Sequence, residues 1–332
     1  MAIEAPNAGN WNEAVIYQEE FFTLMTEVIQ QFAEAFNEAS AGAMQIVPRQ
    51  LKGDFEKSSF FKRVDGLVRS RDPKSNADVA DKLLEQDELI GVKVNRGIGP
   101  VAQTLDFWRK VGADPVEMSM ILGTQFGEEV RVDYVNNAIA SVNAALEAIG
   151  DVTYDATDEN DPLMRTEHLN EGNSKLGDRA QRVRAYIMHS KVWHNLVTNQ
   201  IVDGITNIAD QVSRGIAPAS LGKPVIITDS PELVIPEADG ADTADNYITL
   251  GLVEGAVVIS QSEDQYVTMQ EVTGQENIVW RLQGEYAFNV AVRGCAYTGA
   301  EQPDTDDLSS DDNWDFVMHD KKLGPGVRII TE

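Results

Sequence analysis

Apolar residues near the start of the chain recur at three-, four- and seven-residue steps. In "WNEAVIYQEEFFTLMTEVIQQFAEAF", Val15, Phe22, Met25, Ile29, Phe32 and Phe36 fall on one face, which predicts an amphipathic helix. That stripe needs a partner, in the same subunit or another, because burying a large apolar side chain is worth about 1.5–3 kcal/mol. Contact between subunits is the expectation for Phe22, Met25, Ile29, Phe32 and Phe36. The period then changes to two. Val64, Gly66 and Val68 alternate imperfectly with Arg63, Asp65 and Leu67, and Ile90, Val92 and Val94 alternate with Gly91, Lys93 and Asn95. These predict extended arms on either side of a long polar stretch, a protruding hairpin. Excursions of this length are uncommon in compact domains unless they serve a function.

A second helix is signalled at "DPVEMSMILGTQFGEEVRVDYVNNAIASVNAALEAIG". Asp114 caps, Pro115 suits the first helical position and Glu117 completes a capping box. Met118, Ile121, Leu122, Phe126, Val135, Ile139, Val142 and Leu146 mark an apolar stripe that Gly150 ends. About 35 residues at 1.5 Å each predict a rod of roughly 50 Å, with a bend expected near Gly123 and Gly127. The pattern then becomes mixed. "DRAQRVRAYIMHSKVWHNLVTN" reads as a helix with a strand option at Arg184–Met188, and "GKPVIITDSP" as a short strand. "NYITLGLVEGAVVISQ" reads as two strands around a glycine turn, and "GVRIITE" as a closing strand. In "IVWRLQGEYAFNVAVRGCAYT", Trp280, Leu282, Tyr286, Phe288, Val290 and Val292 share one face, with Arg281, Gln283, Glu285 and Asn289 on the other. Without regular alternation of strand and helix, the class is α+β.

Charge changes the picture more than composition does. The 332 residues carry a formal net charge of −27, which disfavours phosphate backbones and anionic lipid as direct ligands. Against that background Arg63, Arg69, Arg71 and Lys74 concentrate positive charge in the hairpin and are expected to grip an acidic neighbour. The competing expectation is a solvated loop whose charges pair with its own Asp78, Asp81, Glu85 and Asp87. A single cysteine, Cys295, excludes an intrachain disulfide and a thiolate metal cage. The first ten residues lack a signal-peptide pattern, and no apolar run approaches a membrane span.

The chemistry-bearing motifs are weak. In "YIMHSKVWHNLV", His189 and His194 lie five apart, about 140° around a helix, whereas paired metal ligands sit four apart. Ser190 beside His189 makes no triad, because sequence neighbours rarely have nucleophile–base geometry. "GIGPVA" from Gly97 matches a dinucleotide fingerprint only formally; Pro100 interrupts it, and the glycines are expected to turn the hairpin back into the body. "DATDEND" and "DTDDLSSDD" lack the spacing of a calcium loop and read as solvated. No catalytic residue, cofactor or metal is implied.

Four stretches in order, "GVKVNRGIGPVAQTLDFWRKVG", "YIMHSKVWHNLV", "GKPVIITDSPEL" and "NWDFVMHDKKLGPGVRIITE", together resemble major capsid proteins of tailed bacteriophages. The resemblance spans roughly residue 60 to the C-terminus and implies the Hong Kong 97-like capsid fold. Carried onto this chain, it implies an N-terminal arm at 1–50 and an extended E-loop at 51–105. A peripheral domain with a long spine helix follows at 106–173 and returns at 285–332; an axial domain occupies 174–284. Deleting the arm is then expected to leave a folded body that assembles poorly. The implied function is self-assembly into pentamers and hexamers of an icosahedral shell around a double-stranded DNA genome, bound without sequence specificity and away from membranes. The implied partners are the chain itself, a separate scaffolding protein, a portal and a decoration protein. The implied location is the virion capsid, assembled in the host bacterial cytoplasm. Two alternatives stand beside this: an encapsulin-like compartment shell, and a hydrolase using His189 or His194.

Overall fold

The computed structural model describes residues 25–48, 53–64, 66–75, 78–104, 115–157, 161–206, 220–236, 245–274 and 276–332. Its elements run as follows. Helix α1 (25–39) leads to β1 (Met44–Val47), β2 (Phe55–Phe61) and β3 (Gln86–Thr104). The long helix α2 (Pro115–Ile149) follows, then β4 (Thr153–Asp155), α3 (Thr166–Ser174), a 3-10 turn (Gly177–Arg182), β5 (Val183–Met188) and α4 (Ser190–Thr206). Next come β6 (Val225–Ile227), β7 (Val234–Ile235), β8 (Asn246–Val253), β9 (Val257–Val272), β10 (Val279–Val292) and β11 (Cys295–Tyr297). The chain closes with α5 (Thr305–Ser309), β12 (Trp314–Phe316) and β13 (Gly326–Thr331).

Two main sheets form. One has the order β1-β9-β10-β3-β2; the other runs β4-β13-β8-β5-β6, with β7 also pairing to β8. The expected pair of strands around a glycine turn is present as β8 and β9, but they are not a hairpin. β8 pairs with β13 and β5, whereas β9 pairs with β10 and β1, so the residues between them carry the chain from one sheet to the other. The expected 174–284 unit therefore matches neither sheet: its boundary cuts through β10, while β9 and β10 belong with β3.

α2 lies against both sheets and against α5 and β12. Every residue from Asn137 to Leu146 is buried. The sequence predicts an amphipathic stripe, but "NAIASVNAAL" has small or apolar residues on every side, with Asn137, Ser141 and Asn143 buried among them, so this segment packs all round rather than along one face. Asp114, the expected cap, and the side chains of Glu117, Met118 and Ile121 lie outside the described residues.

α1 meets α2 closely. A Cβ on Gly127 would come within 3.1 Å of the Val28 side chain, so glycine lets the two helices touch. Met25, Ile29 and Phe36 are buried in the chain's own core, and β1 pairs in parallel with β9 from Met44↔Val257 to Val47↔Ser260. Residues 25–47 are thus built into the body, not detached as an arm; Val15 and Phe22 lie outside the described residues.

The 177–206 stretch divides into a 3-10 turn, a strand and a helix rather than one helix. "GIGPVA" is likewise no turn. It lies inside β3, where Leu282 faces Val101 and Gly284 faces Ile98, leaving Gly99 and Pro100 opposite Gln283 as a bulge. Gly99 takes φ +77, and a Cβ there would lie 3.0 Å from the Leu282 carbonyl oxygen.

Candidate functional site

The hairpin is built from β2 and β3, which pair antiparallel from Phe55↔Val92 to Phe61↔Gln86. β3 changes partner at Val92: from there to Thr104 it pairs with β10, so among the described residues its first six pair with β2 alone. The hairpin leaves the sheet at that point. Past it, Lys62 N–H donates to the Glu85 carbonyl at 2.8 Å, and its ammonium meets Asp87 at 2.6 Å. The hydrogen bond from Lys62 is the main cause that holds the Asp87 carboxyl below its ordinary range.

Between these positions, residues 62–85 contain no strand among those described. The predicted extension at Val64–Val68 is absent, because no neighbouring chain segment pairs with it; the strand starts earlier, at Phe55. The loop is exposed, and it exposes large apolar side chains. Phe61, Leu67, Val68, Val79, Leu83 and Leu84 make up six of the eleven large hydrophobics left exposed among the described residues, with Val68 at 95%. Single exposed apolar residues are ordinary; six within 24 positions mark a surface that meets something.

Arg63, Arg69, Arg71 and Lys74 are all exposed on the same loop. Lys74 donates its backbone N–H to Asp72 at 2.9 Å. Arg63 keeps a partner, whereas Arg69 and Arg71 have no ion pair among the described residues. Asp87, one of the four acids expected to neutralise the loop from within, is taken by Lys62.

A polar node fastens β3 to the body. Arg96 lies 3.3 Å from Asp133 of α2 and donates to Asn137 and to Thr305 of α5, each at 2.8 Å. Asn137 donates to Asp133 at 2.8 Å, and the Tyr286 hydroxyl of β10 donates to Asp133 at 2.6 Å. Burial first, then the Asp133 charge, raises the Tyr286 hydroxyl above its ordinary value, so it remains a donor. Sequence reading missed this node, since Arg96, Asp133, Tyr286 and Thr305 are scattered along the chain.

The other predicted positions do not gather. Met25, Ile29 and Phe36 lie in the core; Phe32 packs at its margin, 5.2 Å from Phe36, with Arg131 over its ring at 5.1 Å. Met25, Ile29 and Phe36 thus meet their partner within the chain, while Phe32 stays half-buried and Phe22 lies outside the described residues. His189 sits between β5 and α4. Its Nδ1 accepts the Lys191 N–H at 3.2 Å, and its Nε2 lies 3.5 Å from Asp229. Ser190 bonds Asp229, whose carboxyl is thereby lowered, rather than presenting its hydroxyl to the imidazole. His194 is exposed on α4. Among the described residues no group of His, Cys, Asp and Glu can hold a metal ion. His189 serves the strand–helix junction.

The body is mixed, with a projecting hairpin fastened to a long helix, and this is the fold of phage capsid structures. The fold is similar to the capsid of Ralstonia phage GP4, at 11% identity over 87% of each chain with a TM-score of 0.53. It is also similar to the capsid of cyanophage Pam1, at 11% identity over 87% of this chain and 88% of that one, with a TM-score of 0.51. No curated protein matches the sequence. The family description Major capsid protein 13-like matches residues 13–328, and the chain belongs to that family. It is a structural protein of the phage capsid, not an enzyme.

Proposed function

We propose that this chain assembles with copies of itself into the pentamers and hexamers of an icosahedral shell that encloses double-stranded DNA. The observation that carries the reading is the hairpin's end, where five exposed large apolar side chains of the loop and Phe61 at the end of β2 stand near Arg69 and Arg71, which have no ion pair among the described residues. Leaving such a surface in water is costly, and a neighbouring subunit covers it. In this reading residues 51–105 act as the E-loop, with the loop at 62–85 as its tip, and Pro115–Ile149 as the spine helix. Assembly takes place in the bacterial host cytoplasm, with a scaffolding protein, a portal and a decoration protein as partners. The net charge of −27 suits a shell wall along which DNA slides during filling.

The test is Arg69→Glu with Arg71→Glu. Both side chains are exposed, so the variant keeps the melting curve of the unaltered monomer. Its assembly, followed by sedimentation and electron microscopy, is lost or becomes salt-dependent, because the change acts at every copy of a repeated contact. Normal shells from this variant remove the basic loop from the interface.

A further inference from the structure

Where the chain crosses between sheets, after Val253 and before Val257, the surface is hollowed. A cavity of about 390 Å³ is lined by Gln45, Arg182, Arg184, Glu254, Gly255 and Arg293. These residues come from β1, the 3-10 turn, β5, the crossing itself and the turn after β10. Arg293 Nη1 donates to the Glu254 carbonyl at 2.7 Å, and Arg182 Nη1 donates to the Lys322 carbonyl at 3.4 Å. Arg184 lies 3.5 Å from the Glu254 carboxylate, with its side chain 57% exposed.

Two guanidiniums are therefore anchored to backbone carbonyls and keep further N–H donors, since each guanidinium has five. The lining carries three positive charges against one negative, in a chain of −27. Burial, and after it the Arg182 charge, lowers the Arg293 guanidinium from its ordinary value. The like charges are crowded, and one carboxylate does not balance them.

We propose that this cavity receives the carboxylates of an acidic segment from a second copy of the chain. The inference rests on the assembly reading above and names one contact within it. Guanidinium forks match carboxylates bidentately. A second copy presents mostly acid, with 54 Asp and Glu against 27 Lys and Arg. Duplex DNA is the poorer occupant, because it presents phosphates along a continuous backbone and three guanidiniums in one recess neutralise few of them.

The test uses the full-length protein, diluted below assembly, and a fluorescent peptide copying its own acidic run from Glu301 to Asp312, "EQPDTDDLSSDD". Anisotropy should show saturable binding that is lost when the peptide's Asp and Glu are replaced by Asn and Gln. Arg184→Glu should weaken it about tenfold, and Glu254→Gln, which removes the cavity's own acid, should tighten it about threefold. A purely structural role for these residues predicts no such opposite pair. The proposal is overturned if the peptide binds both variants equally or not at all. It is also overturned if a 20-base-pair duplex binds more tightly and loses that binding in Arg184→Glu, or if inorganic phosphate alone displaces the peptide at micromolar concentration. Because this reading uses unassembled protein, a failed peptide arm counts against the cavity alone. A failure of the unaltered chain to assemble counts against the shell reading.

Discussion

Arg96 is the residue on which the hairpin's attachment turns. It joins β3 to α2 and α5 through Asp133, Asn137 and Thr305, and Tyr286 completes the node from β10. Tyr286→Phe removes a hydroxyl that donates to a carboxylate, and should lower stability by about 1–2 kcal/mol in a thermal melt. Asp133→Ala should cost more, since it leaves Arg96 without its counter-charge at a site only 20% exposed. If both variants melt like the unaltered protein, the node does not hold the hairpin. Cys295 gives a simpler check. It is buried, and burial pushes its thiol up to about 12. An aromatic disulfide reagent should therefore find it unreactive at pH 8 until denaturant is added. Immediate reaction in the native state contradicts the core described around it.

At the scale of elements, α1 and β1 are integral to the body. Met25, Ile29, Phe36 and Met44 are all buried, each contributing about 1.5–3 kcal/mol. Their sum is comparable to the whole stability of a typical domain. Deleting residues 1–48 should thus give an aggregated or molten product rather than a folded body that merely assembles poorly. A cooperative melt within a few degrees of the full chain contradicts this. Gly127→Val tests the same contact without truncation: the added side chain has no room beside Val28, and a loss of about 1–3 kcal/mol is expected. The sequence made α2 legible, because an Asp-Pro start, a sustained apolar pattern and Gly150 all agree. Alternation made the buried face of β10 legible from Arg281 to Tyr286, but beyond it Ala287 to Val290 are all buried, Asn289 included, against the expectation that Asn289 lies on the polar face. It did not reveal that β8 and β9 part company, since "VEGA" has the chemistry of a tight turn and only distant partners pull the two strands apart. β2 was missed for a related reason: "FEKSSFF" is a half-exposed edge strand with little alternation to read.

At the scale of the whole molecule, the sequence displayed the basic residues of the hairpin as a cluster, because they are close in number. It could not display the arginine cavity, whose charged residues stand at 182, 184, 254 and 293. Nor could it show that the stripe of α1 is covered from within. Periodicity says that a face is buried, not by which molecule. Met25, Ile29 and Phe36 are buried within the chain, whereas Leu67, Val68, Val79, Leu83 and Leu84 of the loop remain exposed, and the proposed contact between copies rests on the loop.

Sedimentation velocity of the purified, unaltered chain tests the central claim most directly. The protein is run at rising concentration, alone and with its scaffolding protein, and the fast fractions are examined by negative-stain electron microscopy. The account predicts capsomers and megadalton closed shells at the expense of monomer. A species that stays monomeric under every one of these conditions contradicts it.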